Sequence, residues 1–194
     1  MKYLFPIFIV LYLSIPFYSF GQEDKPTVRM GKISRPEKCW ALAHLFIVKK
    51  TFRLSEEALQ VADSIHGSGI FKGSMSGGQP DAFKHAYWMA LLSQNISARK
   101  AYKLGKAHEK GNFITYKKAN RKGLSDPHND LASEMDMWNN KKGVEIGSNN
   151  KDIPTYQLKQ IVIDSILSGA MRIIINDSLK SGDVIVPSDQ FSSW

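Results

Sequence analysis

The chain has 194 residues, a single cysteine and a formal net charge of +8. That length suits one domain of ordinary size, and a lone thiol excludes an internal disulfide. Cys39 also lies too far past the start to carry a lipid anchor. With no companion motif for a catalytic thiol, it reads as a small buried hydrophobe.

Met1-Lys2, an apolar run over residues 3–20 and the exit Ser19-Phe20-Gly21 describe a secretory signal peptide cleaved after Gly21. Pro6 and Pro16 argue against its retention as a membrane anchor. No later stretch is long and apolar enough to span a bilayer. The expected location is therefore outside the cytoplasm, in the periplasm or beyond the cell. Residues 22–36 are polar, carry Pro26 and Pro36, and read as a flexible lead-in. Residues 37–194 read as one helical domain.

From Glu37 an apolar pattern runs without a breaker through Val48 and predicts a helix. Ser55, followed by Glu56 and Glu57, predicts the N-cap of a second helix. Ala58, Leu59, Ala62 and Ile65 form its apolar face and Gly67 its end. Five glycines between residues 67 and 80 mark a loop. Their spacing matches neither common nucleotide-binding pattern, so the expected role is that of a connector.

The stretch Asp81-Ala-Phe-Lys-His-Ala-Tyr-Trp-Met-Ala-Leu-Leu92 is apolar nearly all round, as befits a helix in the middle of a bundle. Pro80 suits its first turn, and only Lys84 reads as solvated. Asp81 and His85 are helical neighbours at i and i+4. A cap with a satisfied core histidine and a shared polar pocket are both open to them.

Ala98, Ala101, Gly105 and His108 form a stripe of small residues that permits close helix approach and carries His108 inward. Gly111-Asn112 predicts the end of that helix, with a basic connector over residues 112–124. Between Ser97 and Leu124 stand nine Lys or Arg and one acid, Glu109. Such a run is a solvated face or a contact for an acidic partner, anionic lipid or a polyanionic glycan. It lacks an aromatic-interleaved motif, which leaves nucleic acid a minor option.

Ser125-Asp126-Pro127 predicts the next helix start. On that helix Leu131, Met135 and Trp138 make an apolar stripe, and Asp136, Asn139, Asn140 and Gly143 a polar one. Pro154 opens a last helix with Leu158, Ile161, Val162, Ile166 and Leu167 as core candidates, up to Gly169. The β-branched runs 171–175 and 184–186 predict a hairpin within residues 170–188. The expected fold class is mainly α: a bundle of five or six helices with a small C-terminal β-hairpin.

Three helices thus bring polar residues to or beside an apolar face: Asp81 and His85, His108 and Glu109, and Asp136, Asn139 and Asn140. Buried polar groups cost about 1–3 kcal/mol each when unpaired, so these are expected to meet one another, a metal or water. Asp81, His85, His108 and Asp136 supply donors for a divalent metal ion, with Glu109 as general base for its water. Against this, His108 and Glu109 are successive residues about 100° apart on a helix, a poor arrangement for facing one ion together. Without a metal, His85 or His108 acts as general acid or base, oriented by Asp81 or Asp136. Asn139 and Asn140 then donate to a developing oxyanion. No Ser or Thr stands out as a nucleophile, so hydrolysis of an ester or phosphoester by activated water is the enzymatic reading. The competing reading is a non-catalytic binding or scaffolding domain, with a closed polar network that fixes helix register and a basic segment that binds.

Asp81-Ala-Phe-Lys-His-Ala-Tyr-Trp88, Ala107-His108-Glu109 and Met135-Asp136-Met137-Trp138-Asn139-Asn140-Lys141-Lys142-Gly143 occur in that order. Together they resemble a bacterial domain of unknown function found in secreted proteins and at the C-terminal ends of large, polymorphic-toxin-like exported chains. Its pattern is D-A-F-R-H-A-x-W-N, then A-H-E, then M-D-x-x-N-N-x-x-G. The resemblance covers roughly residues 37 to 175 and implies that the three blocks form one unit, which extends site status to Asp81, His85, His108, Glu109, Asp136, Asn139 and Asn140. Lys84 stands where the pattern has Arg, and Met89 where it has Asn. A chemical role for that Asn is closed to Met89.

Overall fold

The computed structural model describes residues 33–124, 129–177 and 182–191. The expected signal peptide, all but the end of the lead-in, and the expected helix start Ser125-Asp126-Pro127 lie outside the described residues. Among the described residues there are six α-helices and one two-stranded antiparallel sheet, the mainly α class with a C-terminal hairpin that the pattern predicts. Among the described residues, no helix is long and apolar enough to cross a membrane.

Helix α1 (Arg35–Leu42) begins at a capping box. The Ser34 side chain accepts from the Glu37 backbone N–H, and the Glu37 carboxylate accepts from the Ser34 backbone N–H at 2.8 Å. The apolar pattern of residues 37–48 is not one helix. It breaks at Ala43-His44, where the His44 ring stacks on Trp40 and its Nδ1 lies 2.8 Å from the Trp40 carbonyl. Cys39 is exposed rather than buried, because Trp40 and Ala41 carry the inward face of α1.

Helix α2 (Leu45–Gly67) runs straight through Ser55, which is therefore not a cap. The Ser55 hydroxyl donates back to the Thr51 carbonyl at 2.9 Å and accepts from the Trp88 indole N–H at 2.8 Å, a brace between two helices. Gly67 ends α2 as expected.

Helix α3 (Gln79–Asn95) is the buried centre, capped by Gly78 and with Pro80 in its first turn. Helix α5 (Asp130–Asn149), capped by the Asn129 side chain, packs against it with backbones nearly in contact. A Cβ on Gly143 would sit 2.1 Å from the Ala86 carbonyl oxygen, and one on Gly147 equally close to that of Ala90. Glycines four apart thus admit the neighbouring backbone. The face of α5 pressed inward carries its polar stripe.

Helix α4 (Ala98–Asn120) is longer than the sequence pattern predicts. Gly111 does not stop it, and residues 112–120 continue the helix instead of forming a connector. The glycine is there for space, since a Cβ would fall 2.3 Å from the Ser34 hydroxyl at the start of α1.

Helix α6 (Thr155–Leu167) follows Pro154 and buries Leu158, Val162, Ile163 and Ile166. Of its other core candidates, Ile161 is half-buried and Leu167 is exposed. Strands β1 (Arg172–Asp177) and β2 (Gly182–Pro187) pair antiparallel, Ile173 opposite Val186. The hairpin is tied to the glycine loop by the bond from the Ile174 N–H to the Gly77 carbonyl at 2.7 Å. A short 3-10 helix, Ser188–Gln190, closes the described chain, and its first carbonyl accepts from the Gln79 side chain at 2.8 Å.

Candidate metal centre

Asp81 sits in the first turn of α3, where the glycine loop turns onto it. Gly77, at φ +86°, donates its N–H to Asp81 Oδ2 at 2.7 Å. The loop is thus more than a connector, because it fixes a carboxylate. Oδ1 of the same carboxylate points toward His85, one turn along. His85 Nε2 lies 3.6 Å from Asp81 Oδ1 and 3.3 Å from Asp136 Oδ1 of α5. On the other side of the ring, Nδ1 lies 3.5 Å from Glu109 Oε1 of α4. Asp81, His85, Glu109 and Asp136 are each no more than 6% exposed.

Burial holds the His85 imidazole down to about 4, against the pull of the Glu109 and Asp81 carboxylates. Near neutral pH the ring therefore carries one proton and one lone pair. With the proton on Nδ1, facing Glu109, the Nε2 lone pair points at two carboxylate oxygens. Among the described residues Asp136 Oδ1 and His85 Nδ1 have no hydrogen-bond partner, and Asp81 Oδ1 has the Lys84 ammonium alone. The Lys84 ammonium reaches Asp81 Oδ1 at 2.5 Å as an ion pair. Lys84 is thus half-buried and paired, not freely solvated. Burial, reinforced by the charges of Asp81 and Glu109, pushes the Asp136 carboxyl well above the usual carboxylate range.

The donor spacing suits a small cation. One atom each from Asp81, His85 and Asp136 lies within 4.8 Å of the others. A tetrahedral ion with bonds of about 2.0–2.2 Å holds its ligands about 3.3–3.6 Å apart, and the two measured separations from Nε2 fall in that range. Beyond it, Glu109 lies against the far nitrogen of the ring, where a carboxylate fixes the tautomer of a metal-bound histidine.

The structure places the other predicted residues around this group in different ways. His108 lies next to it, its ring 6.2 Å from that of His85, but turns Nδ1 to Glu37 Oε1 at 2.8 Å. Burial opposes a charge on His108. The Glu37 hydrogen bond and the Glu109 charge outweigh it, and the imidazole is raised. Glu37 is driven down to about 2 despite its burial, chiefly by the same bond to His108. Glu37 escaped the sequence reading, although the capping-box spacing from Ser34 was there to place it at a helix start.

Glu109 accepts from Asn140 at 2.9 Å and from Asn112 at 3.3 Å, so it anchors Asn140 as well as facing His85. Asn140 Oδ1 has no partner among the described residues. Asn139 is not brought into the group. Its amide exchanges two bonds of 2.9 Å with the Arg172 backbone and fastens α5 to β1. Met89 is fully buried beside Gly105, whose added Cβ would meet Met89 Sδ at 2.9 Å and the Asn140 amide at 3.5 Å. Met89 therefore lies near the Asn140–Glu109 pair.

A family model, described as a domain of unknown function (DUF6973), matches residues 38–170. No curated protein and no solved structure matches the chain. The match spans all the elements that supply Asp81, His85, Glu109 and Asp136.

Proposed function

The chain belongs to the DUF6973 family of domains of unknown function, and from that premise we propose that it is an exported, metal-assisted hydrolase of ester or phosphoester bonds. Asp81, His85 and Asp136 would hold one divalent ion. The observation that carries this reading is the meeting of three buried acceptor atoms, the His85 lone pair and the two Oδ1 atoms, with an ammonium facing only one of them. Negative charge gathered here repels, which is why Asp136 holds its proton more tightly, and a divalent cation in place of that proton offsets the repulsion by coordination. Three protein ligands leave a position open, the arrangement of catalytic rather than structural sites.

When bound, the ion supplies Lewis acidity and lowers the pKa of a water molecule. The remaining work falls to the chain. Glu109 keeps the Nδ1 proton on His85, so that Nε2 stays a ligand. His108, oriented by Glu37, keeps Nε2 free to carry a proton. The water oxygen bonds to the carbonyl carbon or phosphorus, the ester C–O or P–O bond breaks, and His108 passes the water's proton to the leaving oxygen. Lys84 stands beside the cluster to balance negative charge. The signal-like residues 1–21 support placement outside the cytoplasm.

Metal analysis of the mature protein, with thermal melts with and without a chelator, tests the reading. One bound divalent ion per chain and a melting point lowered by chelator are expected. No bound metal, together with no shift on adding zinc or manganese, overturns it.

One observation favours the binding reading as a second function. Arg99, Lys103, Lys106, Lys110, Lys117 and Arg121 are all exposed and recur at helical spacing along α4. Arg35 adds a further cation where Lys103, Lys106 and Lys110 line a shallow groove against α1. A helix of this length offers about 35 Å of basic edge to an acidic polymer or surface. Binding to a sulfated glycan that weakens with salt, and weakens further when Lys117, Lys118 and Arg121 are reversed in charge, is the expected result. Binding indifferent to both removes this second function.

A further inference from the structure

A cavity of about 240 Å³ opens beside the cluster, between α1, α2, α3 and α4. Its walls are Trp40, Phe52, Leu59, Trp88 and Leu104, and His85 reaches its surface. The polar groups in those walls are largely committed elsewhere. The Trp88 N–H is held by Ser55, whose own proton goes to the Thr51 carbonyl. The Trp40 N–H is held by the Lys100 carbonyl at 3.2 Å, and Glu37 is taken by Ser34 and His108. Fixed in this way, both indoles present hydrocarbon to the space, and their orientation is set before any ligand arrives. The remaining polar residues of the lining are Lys84, ion-paired with Asp81, His85, set among its carboxylates, and His108, whose Nδ1 is held by Glu37.

A hydrocarbon-lined space bordered on its polar side by an ammonium and two imidazoles selects an amphiphile, not water or an ion alone. The volume sets the size. At about 30 Å³ for a water-sized group, it takes about eight heavy atoms, a piece of a substrate and not a whole cofactor.

We propose that this cavity is the subsite for a medium-chain acyl group, its ester or carboxylate head beside Lys84 and the Nε2 side of His108. As a statement about substrate it rests on the hydrolase reading. As a statement about binding it does not, because the walls stand without a metal ion.

Calorimetry with octanoate on the mature, metal-free protein tests it, alongside hexanoate and butyrate. Octanoate is expected to bind, with affinity falling about fourfold for each methylene removed, the equivalent of about 0.8 kcal/mol of burial. Leu104→Trp fills the cavity, and Leu59→Arg places a charge at its half-exposed wall with little risk to folding. Each is expected to weaken octanoate at least tenfold. Absence of binding, affinity independent of chain length, or full binding by a folded Leu59→Arg protein overturns the proposal. Chain-length-dependent binding by a protein that takes up no metal retains the cavity and removes the hydrolase. A metal-loaded protein blind to octanoate does the reverse. Displacement of octanoate by dioctanoyl phosphatidylcholine supports a lipid source of the acyl group, and failure to displace it supports a soluble ester.

Discussion

His85 and His108 lie with their rings 6.2 Å apart and live in opposite electrostatic worlds. His85 is almost wholly buried among three carboxylates, yet it is held neutral because burial outweighs them. His108 has a third of its side chain exposed and a single well-aligned carboxylate, Glu37, and it is raised. The comparison shows that the number of nearby acids does not decide the charge of a histidine. Hydrogen-bond geometry and solvation do. One site gathers several acids around a neutral ring, while the other joins one acid to its imidazole in a direct pair.

The largest effect expected from breaking this contrast is His85→Ala. It should take metal content from one ion per chain to none and abolish the chelator-dependent change in Tm. His108→Ala should leave metal content unchanged while removing hydrolysis. Equal loss of metal in both variants would show that the two imidazoles share one ion after all.

Gly143→Ala strikes the inner site through the backbone. Its new Cβ would meet the Ala86 carbonyl, beside His85, and force α5 away from α3. A cost of about 1–3 kcal/mol in denaturant unfolding is expected, together with weakened metal binding. Gly67→Ala, where nothing lies within 4 Å, should cost nothing by the same measurement.

Glu109→Gln removes the charge behind His85 Nδ1 while leaving a carbonyl oxygen that can still accept from Asn140. Metal affinity should fall about 10–100-fold by competition titration, with the ligands themselves intact.

The smallest effect belongs to the outer pair and appears only as a pH dependence. Glu37 titrates near 2 in the folded protein against 4.5 as its ordinary value, so its contribution is present above pH 4.5 and is lost as pH falls toward 2. His108 is raised above 6.5, so its contribution is complete below pH 6.5 and is lost as pH rises through the raised value. The pair should therefore stabilise most between pH 4.5 and 6.5. Urea midpoints at pH 3, 5.5 and 8 should show this peak in the natural chain and a flatter profile in Glu37→Gln.

Much of the architecture was legible in the residues. The all-round apolarity of 81–92 marked the central helix, Pro154 and Gly67 marked helix ends, and two β-branched runs marked the hairpin. The errors have one cause, which is that short-range signals are ambiguous until a neighbour is known. Ser55 and Gly111 look like a cap and a stop, yet one braces Trp88 and the other makes room for Ser34. Likewise Asn139 and Asn140 look equivalent. Only the position of β1 assigns the first to the Arg172 backbone, and only that of α4 assigns the second to Glu109.

By itself the sequence determined the helical class, the order of the elements and the residue types that convene at the site, because periodicity and donor chemistry are properties of the chain. The tertiary structure alone decided that His85 faces two carboxylates while His108 takes Glu37, and that an apolar cavity adjoins both. Those facts depend on distances between segments far apart in the chain, set by how closely glycine lets α5 approach α3 and α4 approach α1.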